Sequence, residues 1–282
     1  MTTVTVPVAL PATTMRGRAV SAIPTLAFRR LALTIRTPRS VAVPLVGPVM
    51  FALVLAPALA NTVADHAQRT TYMTYYALAT AGLLVPLNCM FSGLGVVLDR
   101  QQGALRELLV APIRRSSIVL GNLLAALTIT GVQLAVLILV AAARGADFQV
   151  AMRILWFFGA ALAFCVVMYA VAEILATRLT SPEEYTAALP PIAIVPFFFA
   201  GSLYPISALP HWIEPVARVL PLTHAIALFR YGLTSDHGQA LHNIWGAHDP
   251  SAMAALSLLV VVAFAAVALA GAVRLFTRAG TS

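Results

Sequence analysis

Six runs of about 20 apolar residues, separated by short polar segments, constrain this chain more than any other feature. They lie at about 41–60, 73–98, 118–142, 154–177, 186–203 and 251–273. A helix rises 1.5 Å per residue, so about 20 apolar residues are needed to cross a hydrocarbon core of about 30 Å. Each run is therefore predicted as a transmembrane helix, and the fold class as an all-α integral membrane protein. Composition agrees. Only 10% of the 282 residues are charged, where a soluble domain carries about 25%, and mean hydropathy is +0.90. Residues 1–12 have no basic side chain and are broken by Pro7 and Pro11, which is not a secretory signal. Residues 1–20 are expected to be a disordered tail, and 21–282 one transmembrane domain. Cys89 and Cys165 both fall inside apolar runs, where cysteine serves as a small buried hydrophobe.

The net charge of +8 is carried entirely by arginine. Nucleic-acid binding would gather those arginines on one exposed face. Here they lie between apolar runs, which points to membrane topology and anionic lipid, with no nucleic-acid partner. With the N-terminus in the cytoplasm, the inner segments hold 13 arginines and the outer segments 5. The positive-inside bias thus predicts a multi-pass protein of a cytoplasmic membrane with both termini inside. His237, His242 and His248, with Asp236 and Asp249, cluster in the last outer loop. Their spacing fits no metal-ligand motif, so a solvated loop and no metal site are expected.

Residues 21–38 form a pattern of their own. Ser21 can cap a helix, Pro24 suits its first turn and Pro38 ends it. Phe28, Leu31, Ala32 and Ile35 share one face, while Arg29, Arg30 and Arg36 lie off it. This is the pattern of a helix lying in the membrane interface. A second patterned stretch follows the second run. Gly103 precedes a short helical segment, 103–111, that Pro112 stops. Leu105, Leu108 and Leu109 make its apolar face; Arg106 and Glu107 point elsewhere. Arg114 and Arg115 then reach the phosphate level of the inner leaflet.

The stretch GALRELLVAPIRRSS, residues 103–117, resembles the coupling-helix loop of ABC type-2 export permeases of the daunorubicin-resistance kind. The stretch LPHWIEPVARVLPLTHAIALFR, residues 209–230, is similar to that family's outer segment. The six runs and the amphipathic helix also fit. The resemblance implies a half-channel that pairs with a second permease copy or a homologous permease. It also implies two copies of a separate ABC ATPase, which would bind the ATP and Mg. The helix at 103–111 would insert into the ATPase, with Arg106 and Glu107 as polar contacts and Arg29 and Arg30 beside them. Bacterial inner-membrane localisation and outward transport of an amphiphilic drug, lipid or glycolipid follow from the same likeness. The chain has no GxxxxGK[ST] phosphate-binding loop and no lysine to complete one. No cofactor and no enzymatic activity of its own are therefore expected.

The outer segment, about 205–232, is apolar but broken by Pro205, Pro210, Pro215 and Pro221. Two short helices dipping in from outside, about 208–219 and 222–232, are predicted. Pro210, Trp212, Glu214, Arg218, Pro221 and His224 are the candidate outer-gate residues. Trp212 suits an interfacial anchor, and Glu214 and Arg218 are spaced to pair. Within the spans, Glu173 is the clearest polar suspect, and Asn88 and Gln133 are expected to bond between helices. Two other readings stay open: a proton-coupled secondary transporter with Glu173 as carrier, and a membrane-embedded enzyme.

Overall fold

The computed structural model describes residues 12–62, 66–149, 151–234 and 238–279. Among them there is no strand. Five helical stretches are long and apolar enough to cross a membrane: Val41–Ala60, Arg69–Gln101, Arg115–Ala143, Ile154–Arg178 and Pro250–Arg278.

Helix α1, Ala12–Arg36, begins nine residues before the expected start of the interfacial helix, within the stretch expected as a tail. The remainder of that tail, 1–11, lies outside the described residues. The first span is a composite. Helix α2 (Pro38–Met50) passes through a π-helical turn, Phe51–Leu55, into α3 (Ala56–Ala60). Pro44, Pro48 and Pro57 remove amide donors from this stretch. The wide turn re-registers the helix just ahead of Pro57. Helix α4, His66–Gln101, carries Pro86 without breaking. The short α5 (Ala104–Val110) leads into α6 (Arg115–Ala143), and α7 follows at Ile154–Arg178.

The fifth predicted span is not one continuous helix. It divides at Ile194 into α8 (Pro182–Ala193) and α9 (Val195–Phe199). Pro190, Pro191 and Pro196 withhold three amide donors within seven residues, and the turn cannot be kept. The outer segment also differs from its prediction. A 3-10 turn at Ile206–Ala208 precedes α10 (Glu214–Val219), which is half the expected length, and α11 covers Pro221–Leu233. An unanticipated α12 (Gln239–Trp245) leads to α13 (Pro250–Ala279).

Helix α7 is the centre of the bundle, packed by α4, α6, α11 and α13. Alanines at 160, 170, 172 and 176 are fully buried and let neighbouring helices approach closely, as small residues do between membrane helices. Every residue of α11 from Leu222 to Leu233 is buried, so this helix is core rather than surface loop. Long-range bonds define two ends. At one, Arg115 Nη1 on α6 donates to the Thr277 carbonyl on α13 at 3.0 Å. At the other, the Asp147 amide donates to Thr74 Oγ1 at 2.8 Å, and the Gln149 amide to the Leu233 carbonyl at 2.9 Å.

Candidate functional site

The arginine-rich end is built around the C-terminus of α4. Gly103 has φ +80°, a left-handed conformation that costs glycine nothing and stops the helix. The chain turns into α5, which ends at Ala111 in extended conformation because Pro112 disfavours helix before it. Leu105 is buried, and Leu108 and Leu109 pack partly buried against the same core. Their predicted shared face is thus the anchored one. Glu107 is exposed, and Val110 is 86% exposed. The Arg106 side chain lies outside the described residues. The result is a seven-residue rod, glued to the bundle by leucines and showing a polar and an apolar side chain outward.

Helix α1 grips this end. Leu26 and Ala27 are buried and pack against α6 at Gly121. Arg30, expected among the polar contacts for a partner, is instead only 7% exposed. Its Nη1 donates to Asp99 Oδ2 and its Nη2 to the Ser92 carbonyl, both at 2.9 Å. The approach depends on Gly95: a Cβ there would fall 1.9 Å from Arg30 Nη2. Arg29 lies half-buried, with Nη1 4.0 Å from the same Asp99 oxygen. The predicted apolar face stays clear of protein at Phe28 and Ile35, each 73% exposed. That leaves it for lipid, while the opposite face holds the bundle. Sequence reasoning missed Asp99. Its signal was that it is the first acidic residue after the second apolar run, within reach of an arginine-rich helix.

Deeper in the bundle, Glu173 on α7 is fully buried. The Tyr169 hydroxyl lies 3.1 Å from its Oε2 and 2.9 Å from the Val119 carbonyl. Oε1 has no hydrogen-bond partner among the described residues. Asn88 and Gln133 join helices as expected. Asn88 Nδ2 donates to Thr130 Oγ1 across α4 and α6, and Gln133 Nε2 to the Val41 carbonyl at 2.9 Å. Cys89 and Cys165 are both free and buried.

At the opposite end, some of the predicted gate residues meet. Arg218 Nη2 donates to Glu214 Oε1 at 2.7 Å. His224, at the start of α11, places Nε2 2.9 Å from the Arg218 carbonyl and Nδ1 3.2 Å from Ser257 Oγ. Trp245 Nε1 donates to the same serine at 2.8 Å. Pro221 opens α11; Pro210 and Trp212 are exposed, and the Pro210 carbonyl accepts from the Glu214 amide at 3.2 Å. Ser257 and Trp245 were not read from the sequence, because their meeting depends on the unanticipated α12. In the last loop, Asp249 Oδ1 accepts from the Ser251 hydroxyl and amide at 2.7 and 2.9 Å, which hold its carboxyl below the usual range. His242 Nδ1 lies 2.8 Å from the Ala247 carbonyl. His237 and Asp236 lie outside the described residues. The coupling-type residues and the gate-type residues therefore form two separate sites at opposite ends.

A helical bundle of apolar spans, with a short amphipathic rod fixed across one end, defines a multi-pass membrane protein of the permease class. The family model for the ABC-2 type transporter matches residues 21–234, and the chain belongs to that family. A search of curated proteins returned no match.

Proposed function

We propose that this permease subunit of an ABC transporter is driven by a separate ATPase that docks on α5, and that it moves an amphiphilic drug, lipid or glycolipid outward across a bacterial inner membrane. In this reading the arginine-rich end faces the cytoplasm, as the positive-inside bias requires. A second permease, identical or homologous, completes the pathway, and two ATPase copies bind the ATP and Mg. The observation that carries the reading is the rod itself: leucines inward, Glu107 and Val110 outward. A helix fixed to its own bundle on one face and open on the other is suited to pass a push from a docked partner. The apolar character of the spans argues for cargo with a substantial hydrophobic part.

The test is whether a Walker-motif ATPase, sought first among the products of neighbouring genes, co-purifies with this chain. Arg106→Ala combined with Glu107→Ala is expected to abolish co-purification and ATP-driven transport while the melting temperature of the permease stays within a degree or two. Full binding and transport by that double variant would refute the assignment of α5.

A further inference from the structure

Among the described residues, Glu173 is the one acidic side chain that is buried. It stands near the end of α7, with Ala172 and Ala176 fully buried beside it. A charge placed here has no water to solvate it, so its hydrogen bonds must account for its state.

Those bonds can be counted. The Tyr169 hydroxyl has one proton and two oxygen neighbours: the Val119 carbonyl of α6 at 2.9 Å and Glu173 Oε2 at 3.1 Å. A carbonyl only accepts, so the shorter contact takes the tyrosine proton. The contact with Oε2 is then a hydrogen bond only if the proton in it comes from Glu173. An ionised carboxylate would set lone pair against lone pair there. It would also leave Oε1, which has no partner among the described residues, as a bare buried anion. One proton on Glu173 satisfies both contacts, in a chain from the Glu173 carboxyl to the Tyr169 hydroxyl to the Val119 carbonyl.

No cation neutralises the carboxyl instead. The charged groups that act on it are Arg30 of α1 and Arg100 of α4. Neither forms an ion pair with it among the described residues. The phenols of Tyr169 and Tyr185 also face it, and the Cys89 thiol of α4 faces both phenols. The Tyr185 hydroxyl is committed to the Met90 carbonyl at 2.9 Å. Arg30 is committed as well, to Asp99 and the Ser92 carbonyl. Two carboxyls, Asp99 and Glu173, thus lie in the field of Arg30, and it bonds only the first.

We infer that Glu173 is a proton-binding site, and that it keeps its proton because Asp99 holds Arg30 away from it. A guanidinium that lost Asp99 would turn to the remaining buried acid. The carboxylic acid would then become a carboxylate paired with Arg30, and one proton would leave the bundle. Any movement that parts α1 from Asp99 is therefore linked to proton release. This goes beyond the docking of an ATPase on α5 and does not depend on it.

The experiment uses the full chain in lipid nanodiscs at neutral pH. Infrared spectra separate the C=O stretch of a carboxylic acid from those of carboxylates and amides. The difference between wild type and Glu173→Gln should contain one carboxylic acid band. Glutamine is a neutral isostere, so this variant should melt where the wild type does. Tyr169→Phe should shift the band without removing it, since the acid loses its acceptor but stays neutral. Asp99→Asn should remove the band although Glu173 is still present, and adding Arg30→Met should restore it. A merely structural loss at Asp99 would not be reversed in that way. Asp99→Ser serves if Asp99→Asn does not accumulate. As a second measurement, dicyclohexylcarbodiimide, an apolar reagent that adds to protonated carboxyls, should modify Glu173 in the wild type, read by mass spectrometry. A carboxylate band in place of the acid band, or an unmodified Glu173, would overturn the proton site. An acid band that persists in Asp99→Asn would overturn its dependence on Arg30. None of these readouts requires an ATPase, so failure here and failure of the α5 assignment are told apart.

Discussion

The two ends of this bundle solve the same problem with different chemistry. Both place an arginine where water is scarce. At the α5 end, Arg30 meets a carboxylate, Asp99, and one carbonyl. At the far end, Arg230 meets two carbonyls and an aromatic face. The first arrangement ties one helix to another through an ion pair at the end of the bundle that carries α5. The second braces a broken chain segment around a cavity. A buried ion pair is costly to break on one side only, because the surviving charge is stranded. Carbonyl partners carry no net charge, so their loss strands dipoles rather than ions. The comparison implies that the ion pair fixes α1 against α4 at the α5 end, whereas the carbonyl brace fixes the bend after α9 at the other.

The largest expected effect is at Arg30. Arg30→Ala leaves Asp99 partly buried without its close partner, and Arg29 reaches only 4.0 Å. A loss of about 3 kcal/mol is expected, read as a drop in melting temperature of the detergent-solubilised protein. Arg30→Met combined with Asp99→Leu should recover much of it, since removing both charges removes the stranded one. If the double variant is no better than the single, the ion pair is not the source of the cost. At the other end, Arg230→Ala should cost about 2 kcal/mol, the scale of losing hydrogen bonds from a charged donor. Here a second change in Tyr75 should add less than its effect alone, because the ring covers the Arg230 guanidinium and its hydroxyl shares the Gly201 carbonyl with it. A larger loss at Arg230 than at Arg30 would reverse the comparison.

An intermediate effect is expected at His224, which links the end of α10 to α13 through the Arg218 carbonyl and Ser257. His224→Phe keeps the ring volume against Trp245 but leaves a buried hydroxyl and carbonyl short of a partner. About 1 kcal/mol is expected. Ser257→Ala in the same background should then cost less than in the wild type, keeping only the loss of the bond from Trp245 Nε1, measurable as a double-mutant cycle.

Much of this was legible from periodicity. Five of the apolar runs became long helices, and α5 fell within the expected 103–111, while α1 began nine residues ahead of its expected start. What was not legible depended on partners distant in sequence. The exposed apolar face of α1 was readable from Phe28 and Ile35. That its other face would carry Arg30 into protein was not, because it required Gly95 and Asp99 to arrive from α4. The fifth run was read as one span on hydropathy alone, yet three prolines in seven residues outweighed it. Helix α11 was anticipated, but its complete burial was not: nothing in thirteen residues reveals that α4, α7 and α13 surround them. Arg230 was noticed only as the end of a motif, and its brace of carbonyls comes from a segment about thirty residues earlier.

The smallest effect sharpens the comparison by contrast with the largest. Glu214 and Arg218 form the shortest ion pair among the described residues, 2.7 Å against 2.9 Å for Arg30 and Asp99. Distance alone would rank it first. Exposure reverses the order: the Arg218 side chain is 49% exposed and that of Arg30 only 9%. An exposed pair spaced i, i+4 gains little, because water and salt screen it and two long side chains must be held still. Glu214→Gln should therefore lower stability by about 0.3–0.5 kcal/mol, and that difference should vanish in 1 M salt. The Arg30→Ala loss should largely persist at the same salt, since a buried pair is screened much less. Equal salt sensitivity at the two sites would show that Arg30 and Asp99 are reached by solvent, and the rigid attachment of α1 to α4 beside α5 would fail with it.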